Sequence, residues 1–322
     1  MIVNKIVFGF DQEFSLPSAE YEQLAQRFKD HYEFVQLDAN TVPNSVSLEN
    51  AVAFIGAPSA ELLKKMPNLR WLQLPSAGAN HFAHHPNLAK EVTLTNSSGV
   101  FGVIGAEHTL ALILALIREI PLYVKQTERH LWHEGDRCLQ IDGSTFGIIG
   151  YGDIGSEIAH RLKAFGARVL AVKRNLSRLP EDADAVYTLA DLDTVLNESD
   201  FVVNVLPLTP ETKNLFDAKR FAAMKDGVQF INVGRGGTVD ERALIDAVHS
   251  GKVGGTALDV TAEEPLPENH PLWDLPNVLI TSHSLGVGPG KYKRRNDLVA
   301  KNVTNFIMGK PLKNQVNREL GY

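Results

Sequence analysis

The chain of 322 residues has one cysteine, no long apolar run and only a small excess of negative charge. Cys138 has no second cysteine with which to form an internal disulfide, and this is typical of proteins from a reducing compartment. The longest apolar run, residues 110–117, is too short to cross a bilayer, and Glu107, His108 and Arg118 flank it. The run therefore predicts a buried helix.

The first residues also lack the basic start, the long apolar stretch and the small-residue cleavage site of a signal peptide. A net charge of -6 and a pI near 6.0 argue against nucleic acid or an anionic membrane as the main partner. Hydrophobic residues make up 44% of the chain and charged residues 22%, as in ordinary globular proteins. We therefore expect a cytoplasmic protein without a nucleic-acid or membrane partner.

The most informative stretch is residues 145–155, which read T-F-G-I-I-G-Y-G-D-I-G. Residues 145–149 are β-branched, aromatic and apolar, which favours a buried parallel strand, and residues 154–165 have helical spacing. A second strand is predicted at residues 168–172. A tight strand-to-helix turn without a ligand is the alternative, but the strand-helix-strand context favours a dinucleotide site.

Three glycines occupy the turn between this strand and helix. Gly150 permits the tight turn, Gly152 lets the backbone approach a pyrophosphate, and Gly155 lets helix and strand pack closely. The helix N-terminus at Asp153 and Ile154 offers unpaired N–H groups to an anion. These five residues are predicted to bind the cofactor.

Cofactor choice is predicted from the end of the second strand. A site for NAD carries an acidic residue about 20 residues past the glycine motif, where it binds the ribose hydroxyls. Here Lys173 and Arg174 occupy that place, and Arg178 follows. Because a guanidinium can pair with the 2′-phosphate of NADP, we expect NADP to be preferred, with NAD possible as a second cofactor. A solvated basic turn is the alternative.

The rest of the chain alternates strands and helices. Before the glycine motif, strands are predicted at residues 5–10, 33–37, 51–56, 70–74 and 92–95, with helices at residues 19–28 and 60–66. A long helix over residues 104–125 is predicted next, with Pro121 kinking it or ending its main segment. Later strands are predicted at residues 201–205, 228–233, 255–258 and 278–281, and a last helix at 291–308. This order favours an α/β unit followed by a doubly wound sheet.

Several motifs follow the glycine turn in a fixed order. They are L-P-L-T-P-E-T at 206–212, N-V-G-R-G-G at 232–237, A-L-D-V at 257–260 with E-P-L-P at 264–267, and S-H at 282–283. As a set they resemble the D-isomer-specific 2-hydroxyacid dehydrogenase family, in particular its glyoxylate/hydroxypyruvate reductase-like branch. The resemblance implies a doubly wound Rossmann dinucleotide-binding domain, residues 99–287, inserted into a flavodoxin-like α/β substrate-binding domain made of residues 1–98 and 288–322.

The resemblance implies three catalytic residues. His283 would donate a proton to the keto oxygen, since imidazole exchanges protons near neutral pH. Glu264, directly before Pro265, would orient the imidazole and stabilise its protonated form, with Glu263 as the competing carboxylate. Arg235 would bind the substrate carboxylate and polarise the keto oxygen.

The remaining site residues come from loops that follow predicted strands. By resemblance, the backbone N–H groups of Ser76, Ala77 and Gly78 bind the substrate carboxylate, although a simple turn is the alternative. Asp259 is expected behind the His283 and Glu264 pair. The further cofactor contacts are Pro207, Thr212, Val233 and Asp259. No metal ligands are predicted.

The sequence departs from commoner family patterns at three places. Ala-Asn-His at residues 79–81 replaces a frequent Val-Asp, Ser282 replaces Pro, and Thr261 replaces an aromatic residue. Because the first and last changes fall near the implied substrate pocket, substrate preference stays open. The lone Cys138, near His130 and His133, is expected to be inert because no residue orients it.

The resemblance implies an NAD(P)-dependent reductase of short 2-keto acids, glyoxylate and hydroxypyruvate first, which gives the D-2-hydroxy acid. A dinucleotide-sensing corepressor on the same fold is the alternative. We expect a homodimer formed through the helix that begins near Ile104. Trp132 either reaches the neighbouring subunit's site or is a core or interface tryptophan.

Overall fold

The computed structural model describes residues 3–12, 14–43, 46–174, 176, 180–319 and 321. The chain divides into two compact units. The first unit consists of Met1–Val100 and Pro289–Tyr322, and the second of Phe101–Gly288. The chain therefore leaves the first unit once and returns to it once.

The described residues of the first unit form a five-stranded parallel sheet. Its strands are β1 (Lys5–Phe10), β2 (Glu33–Asp38), β3 (Ala51–Ile55), β4 (Trp71–Gln73) and β5 (Thr93–Thr95), with helices α1 (Ser18–Phe28), α2 (Ala60–Lys64) and α3 (Asn80–Ala83) between them. The strand order β2-β1-β3-β4-β5 is that of flavodoxin-like folds. Every residue of β3 and β4 is buried, as expected for strands that are covered on both faces.

The second unit is built on a parallel sheet of seven strands within the part of the chain that the structure describes. The strands are β6 (Thr145–Ile149), β7 (Arg168–Val172), β8 (Ala185–Tyr187), β9 (Phe201–Asn204), β10 (Val228–Asn232), β11 (Val253–Leu258) and β12 (Val278–Ile280). The helices are α4 (Gly102–Ile117), α5 (Ile120–Glu128), α6 (Asp153–Ala164), α7 (Leu192–Glu198), α8 (Ala218–Ala223) and α9 (Glu241–His249). The order β12-β11-β10-β9-β6-β7-β8 is doubly wound, which confirms the predicted fold class.

The last helix, α10 (Gly290–Ile307), belongs to the first unit. Val299 and Val303 on α10 are fully buried in a cluster with Phe8 and Trp71. Each such side chain stabilises the fold by roughly 1.5–3 kcal/mol relative to full exposure. The C-terminal segment therefore completes the core of a unit that the N-terminal residues begin.

The predicted single helix over residues 104–125 is two helices in the structure. The break falls at Glu119, whose φ of 53° is left-handed and ends α4. Pro121 then lies in the first turn of α5, where a missing N–H costs no helical hydrogen bond. Pro121 therefore belongs to the start of the second helix, and the main segment ends at Ile117, four residues before the predicted position.

No helix in the described ranges is both long and apolar enough to cross a membrane.

Candidate active site

The site lies at the carboxyl edge of the seven-stranded sheet. Because all its strands are parallel, the segments that follow β6, β7, β9, β10, β11 and β12 meet at the same edge. The strand order reverses between β6 and β9, and this is where doubly wound sheets bind ligands. The predicted cofactor and catalytic segments of this unit all follow these strands.

The glycine turn after β6 has little room for side chains. Gly150 has a φ of 106°, and a Cβ added there would lie 2.9 Å from the Val205 carbonyl carbon after β9. A Cβ on Gly155 would collide with the Gly150 carbonyl oxygen, so α6 and β6 pack backbone to backbone. A Cβ on Gly152, by contrast, would meet no atom within 4 Å beyond those of its two chain neighbours.

This open space at Gly152 lies at the N-terminus of a twelve-residue helix, since Gly152 caps α6 and Asp153 and Ile154 begin it. The N-terminal N–H groups and the helix dipole favour an anion there. Because glycine has no side chain, the backbone at position 152 is open to solvent, and a pyrophosphate could approach it closely. The residues present therefore fit a dinucleotide.

The basic turn follows β7. Lys173 donates its N–H to the Tyr187 carbonyl at 3.0 Å, which ties the turn to β8, and the adjacent Arg174 is exposed. Arg178, which is predicted to assist Arg174, lies outside the described residues. Tyr151, inside the glycine turn, has its pKa raised to about 12 by burial and by the charge of Asp182.

His283 and Glu264 are hydrogen-bonded to each other. His283 Nδ1 lies 2.7 Å from Glu264 Oε2, and the two side chains are 49% and 38% exposed. Because a carboxylate can only accept, Nδ1 must carry the proton and donate it. Nε2 is then the ring nitrogen that can exchange a proton with a ligand.

Glu264 is held in turn by the backbone. Its Oε1 accepts from the Thr261 N–H at 3.2 Å, while the Thr261 hydroxyl donates to the Glu263 carbonyl at 2.7 Å. The loop after β11 thus directs Glu264 toward the imidazole. Glu263, the competing carboxylate, contributes its carbonyl to this loop.

The backbone of His283 is left-handed, with a φ of 49°. Residues other than glycine and asparagine adopt this conformation rarely, and it recurs at functional sites. The His283 N–H donates to the Asp259 carbonyl at 2.8 Å, which fixes the turn to the end of β11.

Asp259 lies beneath this turn and is 1% exposed. Its carboxylate accepts from the Thr281 hydroxyl at 2.6 Å, from the Ser284 N–H at 2.9 Å and from the Leu285 N–H at 3.0 Å. Burial alone would raise the pKa of Asp259, but the hydrogen bonds from His108, Thr281, Leu285 and Ser284 outweigh it and lower the pKa to about 2. Asp259 therefore fixes the two residues after His283, and its role as a cofactor contact stays a prediction.

Sequence reasoning did not identify His108 as part of this arrangement. His108 on α4 places Nε2 3.2 Å from Asp259 Oδ1 and 3.1 Å from Thr281 Oγ1. The sequence signal was a short polar stretch, Glu107 to Thr109, within an otherwise apolar helix. Its partners are more than 150 residues away in the chain, so no local pattern names them.

Arg235 follows β10 and is close to the same acidic loop. A Cβ on the adjacent Gly236 would overlap the Thr261 carbonyl, so the Arg235 turn packs directly on the segment that carries Glu264. Burial lowers the pKa of Arg235, and the negative charge of Glu264 opposes that effect. Arg235 Nη1 donates to the Gly234 carbonyl at 2.7 Å, which leaves the other guanidinium nitrogens as donors for an anion.

A buried amide network supports the ends of β9 and β10. Asn204 Nδ2 donates to Asn232 Oδ1 at 2.9 Å and to the Thr238 hydroxyl at 2.7 Å. The oxygens of the two amides accept from the Leu206 and Gly234 N–H groups. Sequence reasoning missed this network, although an asparagine ends each of two fully buried apolar strands.

The predicted cofactor contacts Pro207, Thr212 and Val233 lie in the loops after β9 and β10. The Thr212 hydroxyl donates to the Pro207 carbonyl at 2.7 Å and accepts from the Thr209 N–H at 2.8 Å. The Val233 N–H donates to the Asn204 carbonyl at 3.0 Å. The hydroxyl of Thr212 thus closes the 207–212 loop.

Ser76, Ala77 and Gly78 belong to the first unit and follow β4. The Ser76 hydroxyl donates to the Gly78 carbonyl at 2.8 Å, so the loop is tightly turned. Within the described residues, none of the three backbone N–H groups donates to a protein acceptor. They are therefore available to a carboxylate.

Trp132 is fully exposed, and the exposed apolar surface near it lies on α5 and the segment after it. Its members are Ile120, Leu122, Val124, Leu131, Trp132 and Leu139. On α4, Ala111 is exposed and Leu114, Ala115 and Leu116 are half-buried, so this helix also presents apolar surface. Cys138 is also exposed.

No group of His, Cys, Asp and Glu suited to a metal ion occurs among the residues that the structure describes.

Comparison with known proteins gives concordant matches. Residues 110–284 match the family model of the D-isomer specific 2-hydroxyacid dehydrogenase NAD binding domain. The chain is 34% identical over 314 residues to glyoxylate/hydroxypyruvate reductase B of Escherichia coli K12, covering 92% of this chain and 95% of that protein. It is 34% identical over 261 residues to glycerate dehydrogenase of Methylorubrum extorquens, covering 78% of this chain and 80% of that protein.

Solved structures agree. A D-isomer specific 2-hydroxyacid dehydrogenase from Xanthobacter autotrophicus Py2, in complex with NADPH and MES, has a TM-score of 0.84 at 28% identity over 100% of both chains. An NADPH-dependent glyoxylate/hydroxypyruvate reductase from Sinorhizobium meliloti, in complex with NADP and sulfate, has a TM-score of 0.83 at 27% identity. That match covers 99% of this chain and 100% of the other.

Proposed function

Because the chain belongs to the D-isomer specific 2-hydroxyacid dehydrogenase family, we propose that it reduces a short 2-keto acid with NADPH to the D-2-hydroxy acid. Glyoxylate and hydroxypyruvate are the first candidate substrates, since they appear in the names of the relatives from E. coli and S. meliloti. The observation that carries the proposal is the hydrogen bond between His283 and Glu264 at the carboxyl edge of a dinucleotide-binding sheet. The chain is an NAD(P)-dependent oxidoreductase.

His283 supplies the proton in this proposal. NADPH, held at the glycine turn after β6, would supply the hydride for the carbonyl carbon. The protonated His283 donates from Nε2 to the carbonyl oxygen, because Nδ1 is engaged with Glu264. Glu264 keeps the ring in one orientation and balances its positive charge.

Arg235 and the Ser76–Gly78 backbone bind the substrate carboxylate in this proposal. A guanidinium can contact a carboxylate through two nitrogens while it polarises the adjacent keto oxygen. The free N–H groups of the loop after β4 support its assignment as the second carboxylate contact. We accordingly assign substrate binding to residues 1–98 with 288–322, and dinucleotide binding to residues 99–287.

NADPH is the proposed cofactor in preference to NADH. The glycine turn, with Gly150, Gly152 and Gly155, would hold the pyrophosphate, and Lys173 and Arg174 would bind the 2′-phosphate. The solved relatives from X. autotrophicus and S. meliloti are complexes with NADPH and NADP. A carboxylate in place of Arg174 would repel the same phosphate.

We propose a homodimer whose interface includes the helix that begins near Ile104, together with α5 and residues 129–139, with Trp132 directed toward the partner. The segment after α5, residues 129–139, is here called the arm. It is well anchored, because the Tyr123 hydroxyl accepts from the Gly135 N–H at 2.9 Å and the Glu119 carboxylate accepts from the Arg137 N–H at 3.1 Å. A folded arm that presents leucine and tryptophan to solvent is typical of an interaction surface. The single cysteine is compatible with a cytoplasmic location.

The experiment that tests the proposed function is oxidation of NADPH with a panel of 2-keto acids, from glyoxylate and hydroxypyruvate to larger branched compounds. We expect turnover with at least one short 2-keto acid. Turnover with none would contradict the enzyme assignment and would revive the corepressor alternative, which the enzyme names of the relatives do not support.

A further inference from the structure

We infer that the C-terminal segment, residues 313–318, positions the substrate loop Ser76–Gly78, with Asn314 and Arg318 as positioning residues. The inference rests on the proposed role of this loop in binding the substrate carboxylate. All the contacts that carry it lie within the first unit.

The loop is held first by the residues that follow β5. Asn96 Nδ2 donates to the Ala77 carbonyl at 2.7 Å, and the Ser97 N–H donates to the Ser76 carbonyl at 2.8 Å. The Ser97 hydroxyl donates to the Leu74 carbonyl at 2.8 Å. The carbonyls of Ser76 and Ala77 thus accept hydrogen bonds. Because each carbonyl shares a planar peptide with the next residue's N–H, these bonds also orient the free N–H groups.

Asn96 is held in turn by Asn314. The Asn96 N–H donates to the Asn314 carbonyl at 3.1 Å, and Asn314 Nδ2 donates to the Asn96 carbonyl at 3.3 Å and the Ser98 carbonyl at 2.6 Å. Asn314 has a φ of 57°, a left-handed conformation that asparagine tolerates. The backbone and the side chain of Asn314 therefore both bind residues 96–98, which in turn support the loop.

The chain on either side of Asn314 binds the same sheet edge. Gln315 forms an antiparallel bridge with Thr95, and the Val316 N–H donates to the Leu94 carbonyl at 2.8 Å. Because β5 is an edge strand, the C-terminal segment pairs with an edge that would otherwise be open. The C-terminal segment, residues 313–318, thus has a fixed register against β5.

Arg318 binds the segment that follows the loop. Its Nε donates to the Ala83 carbonyl at 3.0 Å and its Nη2 to the Leu88 carbonyl at 3.0 Å, while Nη1 donates to the Ala89 carbonyl. These carbonyls lie at the end of α3 and just beyond it. The planar guanidinium suits three fixed acceptors. Arg318 therefore holds the chain at and after the end of α3, which directly follows the substrate loop, while Asn314 acts on the loop itself through Asn96 and Ser97.

The test compares Asn314→Gly and Arg318→Met with wild type. Glycine tolerates the left-handed backbone, so Asn314→Gly removes only the side-chain bonds, and methionine keeps the apolar stem of Arg318. We expect KM for the keto acid to rise about three- to tenfold in each, as for the loss of one or two net hydrogen bonds. kcat and the dissociation constant of NADPH should stay close to wild type.

Asn68→Gly is the matched control, because Asn68 Nδ2 donates to the Glu49 carbonyl at 2.8 Å in the same unit but away from the loop. Arg318→Lys should raise KM less than Arg318→Met does, since the lysine ammonium can replace one of the three hydrogen bonds that the guanidinium makes. An unchanged KM in both variants, or an increase no larger than that of Asn68→Gly, overturns the inference.

Hydrogen exchange separates this inference from the proposed function. In Asn314→Gly, backbone amides of residues 74–98 should exchange faster, while those of β1 and β3 should not change. If wild type reduces no keto acid, the proposed function fails, and faster exchange confined to residues 74–98 still supports the coupling. Exchange unchanged at residues 74–98 refutes it.

Discussion

His283 Nδ1 donates to Glu264 Oε2 at 2.7 Å, although the two residues lie on different loops of the sheet edge. The left-handed backbone at His283 and the bond from Thr261 to Glu264 bring the two side chains together. The geometry fixes which nitrogen carries the proton and leaves Nε2 for the substrate.

Replacing His283 by Asn should lower kcat by about 100- to 10,000-fold, because it removes the proton donor. Asparagine is preferred to alanine here because it tolerates the φ of 49°. Steady-state kinetics measures kcat, and fluorescence titration measures the affinity for NADPH. NADPH affinity should stay near wild type, and an equal loss of affinity would argue against a role limited to proton transfer.

Replacing Glu264 by Gln should lower kcat by at least about tenfold, since one amide oxygen cannot replace two carboxylate oxygens that serve Thr261 and His283. Glu263→Gln is the matched control on the adjacent residue. Its structural contact is its carbonyl, so its kcat should stay within about twofold of wild type. Equal losses in the two variants would contradict the assignment of Glu264.

Replacing Arg174 by Ala should lower kcat/KM for NADPH by about 10- to 100-fold, the value of a lost charge-assisted hydrogen bond. NADH use should change little, because NADH has no 2′-phosphate. Arg242→Ala, which removes an exposed arginine paired with Asp246 on α9, is the control for loss of charge. The assignment does not survive if Arg174→Ala affects both cofactors equally.

Replacing Leu131 by Asp should yield a monomer in sedimentation velocity at micromolar concentration, because a carboxylate would be desolvated at the proposed interface. Phe165→Asp changes an exposed apolar side chain at the end of α6 and should leave the dimer intact. A monomeric wild-type protein would refute the proposed dimer. A dimer that survives Leu131→Asp would show that the interface lies elsewhere, and dissociation by Phe165→Asp as well would show that the effect is not specific to Leu131.

Replacing Asp259 by Asn should destabilise the fold at pH 7 by about 2 kcal/mol, from a pKa lowered from 3.8 to about 2. A lowered folded-state pKa gives stability that is present above the unfolded pKa and is lost as pH falls through about 2. The difference in urea unfolding between wild type and variant should therefore narrow between pH 4 and 2.

Asp226→Asn provides the control for this pH dependence, because Asp226 pairs with Lys252 at an exposed position where solvent screens the charges. Its unfolding should stay close to wild type. A difference for Asp259→Asn that widens as pH falls would show that the carboxylate is not stabilised as its contacts imply.

The sequence by itself determined the fold class and the location of the cofactor turn. The reason is local: buried parallel strands read as apolar runs, and the turn into α6 needs glycine at Gly150 and Gly155 because backbone lies within contact of both. The parallel order of elements also placed the segments after the strands at one edge. For these reasons residues from distant motifs could be predicted to share a site.

Only the tertiary structure decided how those residues are held. Nothing in the local sequence shows that Asp259 takes a contact from His108 on α4, that Asn204 and Asn232 join the ends of two strands, or that Arg318 binds the segment after the substrate loop. These are bonds between single polar side chains and partners far along the chain, and periodicity carries no information about them. The sequence predicted a kink or end of the long helix at Pro121, but only the structure shows that the break lies at the left-handed Glu119, where neither glycine nor proline marks it.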